Sequence, residues 1–294
     1  MARLGFDGLP PFAWPGGAIA GTLVLEVEAP TRARDLTLRL DGRERSQITV
    51  QAGKSSERLV QEAVFLAQEV VVHQTLAFVD PEHIAPGTYR VPFQFALPPG
   101  APPSIRSAPS VGGSGWGVPR SDGLVVEYVL EARLVVPLWT DLVAQAVVPV
   151  FAPRRILGLI PPLESPNLPD RVHVVVDGSG GAPVVPGEPV RLGYRIENPG
   201  GKALRHVRFT LTRVIEHVAR GARAVVRRPA YVAEQPLGGR APEFAGTLEI
   251  VVPNTEDATG PWQGTLFAAG WTASITVDVQ LGFDVSVSAP LVPA

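Results

Sequence analysis

Between Pro86 and Ser104 the chain reads PGTYRVPFQFALPPGAPPS, a Pro-Gly turn, an alternating strand and a proline-blocked exit in fixed order. Tyr89, Val91, Phe93, Phe95 and Leu97 take every second position, so a strand directs them all to one face, expected to be core. Arg90, Pro92, Gln94 and Ala96 point the other way. Pro92 has no N–H to give a sheet ladder, which predicts an edge strand or a bulge at that point. Pro98, Pro99, Pro102 and Pro103 then stop the sheet.

The same period of two runs from one end of the chain to the other. Leu23, Leu25 and Val27 alternate with Glu26 and Glu28; Leu36, Leu38 and Leu40 alternate with Thr37 and Arg39. Leu124, Val126, Tyr128, Leu130 and Leu134 alternate with Glu127, Glu131 and Arg133. Each set predicts a half-buried strand. Beyond residue 170 come Val172, Val174 and Val176, then Val190, Leu192, Tyr194 and Ile196, then Val207, Phe209 and Leu211. The last are Ile275, Val277, Val279 and Leu281, followed by Phe283, Val285 and Val287. One segment is ambiguous: Leu59, Ala63, Leu66 and Val70 fall at helical spacing, but Val64 to Leu66 and the run Val70 to Val72 favour a strand. With 30 glycines and 31 prolines punctuating these runs, the expected class is all-β, two tandem immunoglobulin-like antiparallel sandwiches.

The 294 residues are enough for two such domains, each with its own core. The stretch FAPRRILGLIPPLESPNLPD loses the alternation and gains prolines, as an interdomain connector does. The expected division is a first sandwich over residues 1–152, a connector over 153–169 and a second sandwich over 170–294. A hydrophobic content of 45% with 18% charge excludes general disorder, and no apolar run approaches the roughly 20 residues that span a bilayer. Asp7 and the early glycines and prolines break the N-terminus before a signal-peptide core develops, so a cytoplasmic location is expected. Without cysteine there are no disulfides, thiolate nucleophiles or Cys-ligated metals. A net charge of −2 without a basic domain argues against nucleic acid as a partner.

Several segments in this order resemble the arrestin clan, which includes arrestins, arrestin-domain adaptors and bacterial sporulation-control relatives. PGGAIAGTLVLEVEAPTRARDLTLRLDGRER resembles the opening of the family's N-terminal sandwich, and PGTYRVPFQFALPPGAPPS its Pro-Phe-x-Phe motif with a Leu-Pro exit. GLVVEYVLEARLVV and DLVAQAVVPVF resemble the strands that close that sandwich. VPGEPVRLGYRIENPGGKALRHVRFTLTRV resembles the opening of the C-terminal domain, and FDVSVSAPLVPA its final strand. The chain departs from the pattern in a longer glycine-rich insertion, 110–123, and in lacking the paired N-terminal lysines with which vertebrate arrestins sense phosphate. The resemblance implies a non-enzymatic scaffold or adaptor for protein or peptide partners, acting by addition of a strand to an exposed sheet edge or by contacts through loops at one end and the concave faces. A carbohydrate-binding or adhesive sandwich module is the alternative, and an enzyme with an interdomain site comes third.

Signatures of chemistry are sparse. GGSGW, Gly112 to Trp116, misses the G-x-S-x-G elbow because Trp116 stands at the last glycine, and GSGWGV misses G-x-G-x-x-G at Val118. His73, His83, His173, His206 and His217 show no metal-ligand spacing, so no metal, cofactor or catalytic residue is expected. DPEHIAPG reads as a solvated turn, and Asp177 in DGSGG as a hairpin turn lacking the further acids of a calcium loop. Two candidate binding surfaces remain. Arg213, Arg220, Arg223, Arg227 and Arg228 flank a turn at Gly221 and could grip carboxylates, phosphates or an anionic membrane surface, against the plainer reading of a solvated hairpin. Trp262, Phe267 and Trp271 could anchor a peptide or a sugar ring if exposed, and fill a core if buried. Trp14, Trp116 and Trp139 are too scattered to join them in one platform.

Overall fold

A computed structural model describes residues 2–52, 55–80, 82–107, 119–152, 156–255, 259–280 and 282–294. Residues 110–118 of the glycine-rich insertion, with Trp116, lie outside the described residues, as does Leu281. The chain divides into two compact units. The first is residues 1–152 together with Val218–Arg223 and Gly264–Leu266; the second is the remainder.

The first unit contains β1 (Ala2–Asp7), β2 (Ala18–Val27), β3 (Thr31–Arg32), β4 (Asp35–Ala52), β5 (Ser55–Val71) and β6 (Phe78–Asp80). It continues with β7 (His83–Ile84), β8 (Gly87–Ala96), β9 (Ile105–Ser107), β10 (Arg120–Val135) and β11 (Leu142–Val147). One sheet has the order β1-β2-β8, another β11-β10-β4-β5 with β9 also on β10, and β3-β7-β6 is a small third. The core between the two large sheets takes Leu23, Leu25 and Val27 from β2, Val91 and Phe95 from β8, Leu36, Leu38 and Leu40 from β4, and Tyr128, Leu130 and Leu134 from β10. These are the alternating positions of the sequence. Tyr89 and Phe93 pack against that core half-buried. Pro92 lies opposite Thr22 on β8, which ends the sheet, so the proline's missing donor falls on an edge strand. The ambiguous segment is β5, a strand throughout, paired with β4 from Ala52/Ser55 to Thr37/Val71.

The proline exit is tied down by the strand that follows it. Tyr128, buried on β10, donates its hydroxyl to the Pro102 carbonyl at 2.6 Å. Burial foremost, and then the nearby Glu44 carboxylate, push the Tyr128 phenol up from its ordinary value, so it stays a neutral donor. Its ring stands edge-on to Phe65, 5.5 Å between centroids. Phe65 in turn lies so close to Gly42 that a Cβ there would come within 2.4 Å of the ring. The β4–β5 register shifts at Gly42/Arg43, a bulge that accommodates Phe65.

The second unit contains β12 (Leu163–Glu164), β13 (His173–Val176), β14 (Pro189–Glu197) and, apart from their ends at the shared turn, β15 (Leu204–Ala219) and β16 (Ala222–Gly239). β17 (Glu243–Val251), β18 (Trp262–Gln263), β19 (Phe267–Val279) and β20 (Val285–Pro290) complete it. Its sheets run β12-β13-β14-β17 and β16-β15-β19-β18, with β20 also on β19. Val174, Leu192, Ile196, Phe209, Leu211, Ile275 and Val277 form the core. Leu157, Ile160 and Leu163, from the proline-rich stretch 153–169, are buried in that same core. The Asn-Pro turn is built on Asn198, whose amide donates to the Lys202 and Ala241 carbonyls and accepts from the Lys202 N–H. Asp177 is not in a tight hairpin turn as expected: it opens the long connection 177–188 from β13 to its antiparallel neighbour β14, with its N–H on the Gly193 carbonyl at 3.0 Å. Phe283 departs from the expected alternation: β19 ends at Val279, and Phe283 stands almost fully exposed in the turn before β20.

Replacing Tyr128 with Phe keeps the ring packing and leaves the Pro102 carbonyl without its donor. The expected loss is about 1–3 kcal/mol of stability, read as a lower urea midpoint with an unchanged m-value; an unaltered midpoint would show that the bond carries no net stability.

Candidate partner-binding surfaces

The arginine-rich hairpin forms as the sequence indicates. Arg220 and Gly221 have φ of 49° and 84°, the left-handed pair that joins two strands in a type I′ turn, here between β15 and β16. The five arginines do not converge. Arg213 faces inward on β15, 9% exposed, with Nη2 3.5 Å from the Thr259 hydroxyl. Arg220 sits at the turn, where its backbone N–H donates to the Gln61 side chain at 2.6 Å. Arg223, Arg227 and Arg228 are exposed on β16.

The aromatic candidate separates in the same way. Phe267 and Trp271 are buried at 3% and 4% exposure, and the Trp271 indole donates to the Thr259 carbonyl at 2.7 Å. Trp262 is half-buried on β18. The exposed row that a sugar or peptide would stack on is therefore not formed by these residues; Trp271 fills the sandwich core. Exposed aromatics occur elsewhere, with Phe12 and Trp14 edge-on at 5.2 Å and Trp139 at 76% exposure.

The histidines are dispersed. His83 binds Asp80, whose carboxylate also accepts the Glu82 and His83 backbone N–H groups. Those bonds, led by the one from the His83 ring, hold the Asp80 carboxyl below its usual range and make DPEH a self-satisfied turn. His173 lies beside Glu164 and Glu197, and His206 beside Asp278. Among the described residues no group of three or more His, Cys, Asp or Glu is placed to hold a metal ion. Among the described residues no helix is long and apolar enough to cross a membrane.

Sequence reasoning missed Glu44. It is fully buried in the first unit, and its two carboxylate oxygens accept the backbone N–H groups of Thr265 at 3.0 Å and Leu266 at 2.6 Å. The Leu266 carbonyl accepts the Val218 N–H at 2.9 Å, so the two short segments grouped with this unit are bonded to each other and to β4. A signal was available: Glu44 continues the parity of Leu36, Leu38 and Leu40, a core-facing position for a charged residue. A carboxylate at such a site requires donors, and backbone amides provide them.

Antiparallel sheets with a buried aromatic-aliphatic core in each unit define the class, a two-unit all-β sandwich protein. The family model described as arrestin (or S-antigen), N-terminal domain, matches residues 4–150, and the chain belongs to the arrestin family. No curated protein matches the chain. The matched span runs from β1 past β11, and so includes both Glu44 and the Tyr128 anchor.

Two outcomes follow from the buried ionisable groups. Glu44→Gln keeps the shape but sets an amide NH2 against one of the two backbone donors, so hydrogen exchange at Thr265 and Leu266 should accelerate by about tenfold or more; unchanged protection there would remove Glu44 as their anchor. His217 is fully buried, and burial lowers its pKa. Below the ordinary imidazole value of about 6.5 the unfolded chain then binds a proton that the folded chain does not, so stability falls as the solution is acidified. In His217→Gln the urea midpoint should vary less with pH below that value, and an equally steep profile would contradict the assignment.

Proposed function

We propose that this chain is a non-enzymatic scaffold or adaptor that captures protein or peptide partners by adding a strand to an exposed edge of its first unit. Arrestin-family proteins generally bind protein partners, which supports the class of function. The observation that carries the mode is β5. It lies at the end of its sheet, bonded to β4 on one side only, and runs seventeen residues, Ser55–Val71, with no proline. Other edges are shorter or interrupted. Pro92 stands in β8, Pro229 and Pro236 in β16, and Pro290 ends β20, each lacking the N–H that an added strand would need. β1 and β11 have six residues each, and β17 has nine.

An added strand would meet Glu57, Glu62, Val64, Glu69 and Val70, all exposed on β5. The arginine hairpin supports a separate anionic site less well, because Arg213 is buried and the others are spread from the turn at Arg220 to Arg228 along β16. Affinity capture from native cell extract, read by mass spectrometry, tests the proposal directly. Val64→Lys with Val70→Lys changes only exposed side chains and charges the edge, the device by which natural edges repel strands. Specific partners recovered with the parent chain should be lost with the double variant at equal thermal stability. Equal recovery with both would exclude β5 as the site, and no specific partner with the parent would exclude the scaffold reading.

A further inference from the structure

Among the described residues of the first unit, the most exposed large apolar side chains sit together at one turn. β10 and β11 are joined through Val136-Pro137-Leu138-Trp139-Thr140-Asp141. The Trp139 N–H donates to the Val136 carbonyl at 3.1 Å, the Asp141 carboxylate accepts the Val136 N–H at 3.2 Å, and Leu138 has φ of 64°. These are the features of a proline-led type II turn, with Leu138 at the position that Gly or Asn normally fills. A branched side chain in the left-handed region carries a steric cost, because its Cβ crowds the following carbonyl. Folding recovers none of that cost, because Leu138 is 95% and Trp139 76% exposed. The turn is firmly built, and what it presents is apolar.

The surroundings narrow the kind of surface it fits. Val143, next along β11, is 46% exposed, and Val71, at the same end of the sheet by the pairings Thr37/Val71 and Asp35/Val135, is 55% exposed. Nearby charges are balanced: Arg133 lies 3.2 Å from Glu131 and 3.9 Å from Asp141, Arg32 lies 2.6 Å from Glu82, and Arg34 precedes Asp35. A protruding Leu-Trp pair without a net basic field suits insertion between lipid headgroups, where the indole ring favours the boundary layer and its N–H remains hydrated. An anionic surface is not required. We propose that the β10–β11 turn is a lipid anchor, with Leu138 and Trp139 entering the interfacial layer of an electrically neutral bilayer. The inference is independent of strand addition at β5.

The test is flotation with phosphatidylcholine vesicles, combined with quenching of tryptophan fluorescence by brominated phosphatidylcholine. The parent chain should float with neutral vesicles, unaffected by salt that shortens the Debye length from about 10 to about 3 Å. Leu138→Asn with Trp139→Ser should reduce binding by about tenfold or more, since both apolar anchors are lost. The same variant should retain or raise the thermal midpoint, because Asn accepts the left-handed turn position. Trp139→Phe should keep most of the binding while losing the part of the quenching that comes from residue 139. Arg223→Ser with Arg227→Ser and Arg228→Ser should bind as the parent does. The proposal is overturned if the parent does not bind neutral vesicles, if binding needs anionic lipid or vanishes at high salt, or if the Leu138/Trp139 variant floats equally well. It is also overturned if the pair instead drives self-association, seen as a lipid-independent dimer in sedimentation that the double variant abolishes.

Discussion

Much of the first unit depends on what β10 can hold at one point. The strand pairs with β4, β9 and β11, and Tyr128 lies where it pairs with Gly42. The phenol is committed twice, its ring to Phe65 and its hydroxyl to Pro102. Phe65 reaches that ring only because Gly42 has no Cβ and because β5 carries an extra residue beside it. A motif about a proline exit and a motif about a tyrosine strand, far apart in the sequence, are thus two ends of one bond. The edge strand β5 is held by its ladder to β4 and, at Phe65, by this same contact.

The sequence was legible wherever the period of two decided the matter. Leu36, Leu38, Leu40, Phe95, Leu130 and Ile275 are buried because alternation places them on one face and the apolar residues select which face that is. The Pro92 edge and the Gly221 turn were legible for a different reason: each residue imposes a backbone restriction that few structures satisfy. The family was legible from the order of such restrictions, and the match over residues 4–150 agrees with it.

What alternation does not encode is the neighbour across space. Arg213 shares a hairpin with Arg223, Arg227 and Arg228 and is buried while they are exposed, so a cluster in one dimension is not one in three. Glu44 shows the converse. Its parity marks it as inward-facing, but its partners are the backbone amides of residues 265 and 266, more than two hundred positions along the chain, and amides carry no side-chain signature. Phe283 fits the apolar period and yet lies in a turn: the alternation reads straight through Gly282, whose N–H turns back to the Val279 carbonyl at 3.1 Å where β19 ends.

The exposed edge and the exposed turn pose the same physical problem in different currencies. At β5 the backbone has hydrogen-bonding groups without a second neighbour, and proline, the simplest block, is absent over its whole length. At Leu138 the backbone adopts a conformation suited to glycine, and the side chain that occupies it is one that water disfavours. In each place a small substitution would relieve the cost without touching the core. Stability therefore does not account for these residues, whereas it accounts for Tyr128, Gly42 and Asn198, which are held by neighbours within the fold. That contrast separates the parts of this chain that hold it together from those left facing outward.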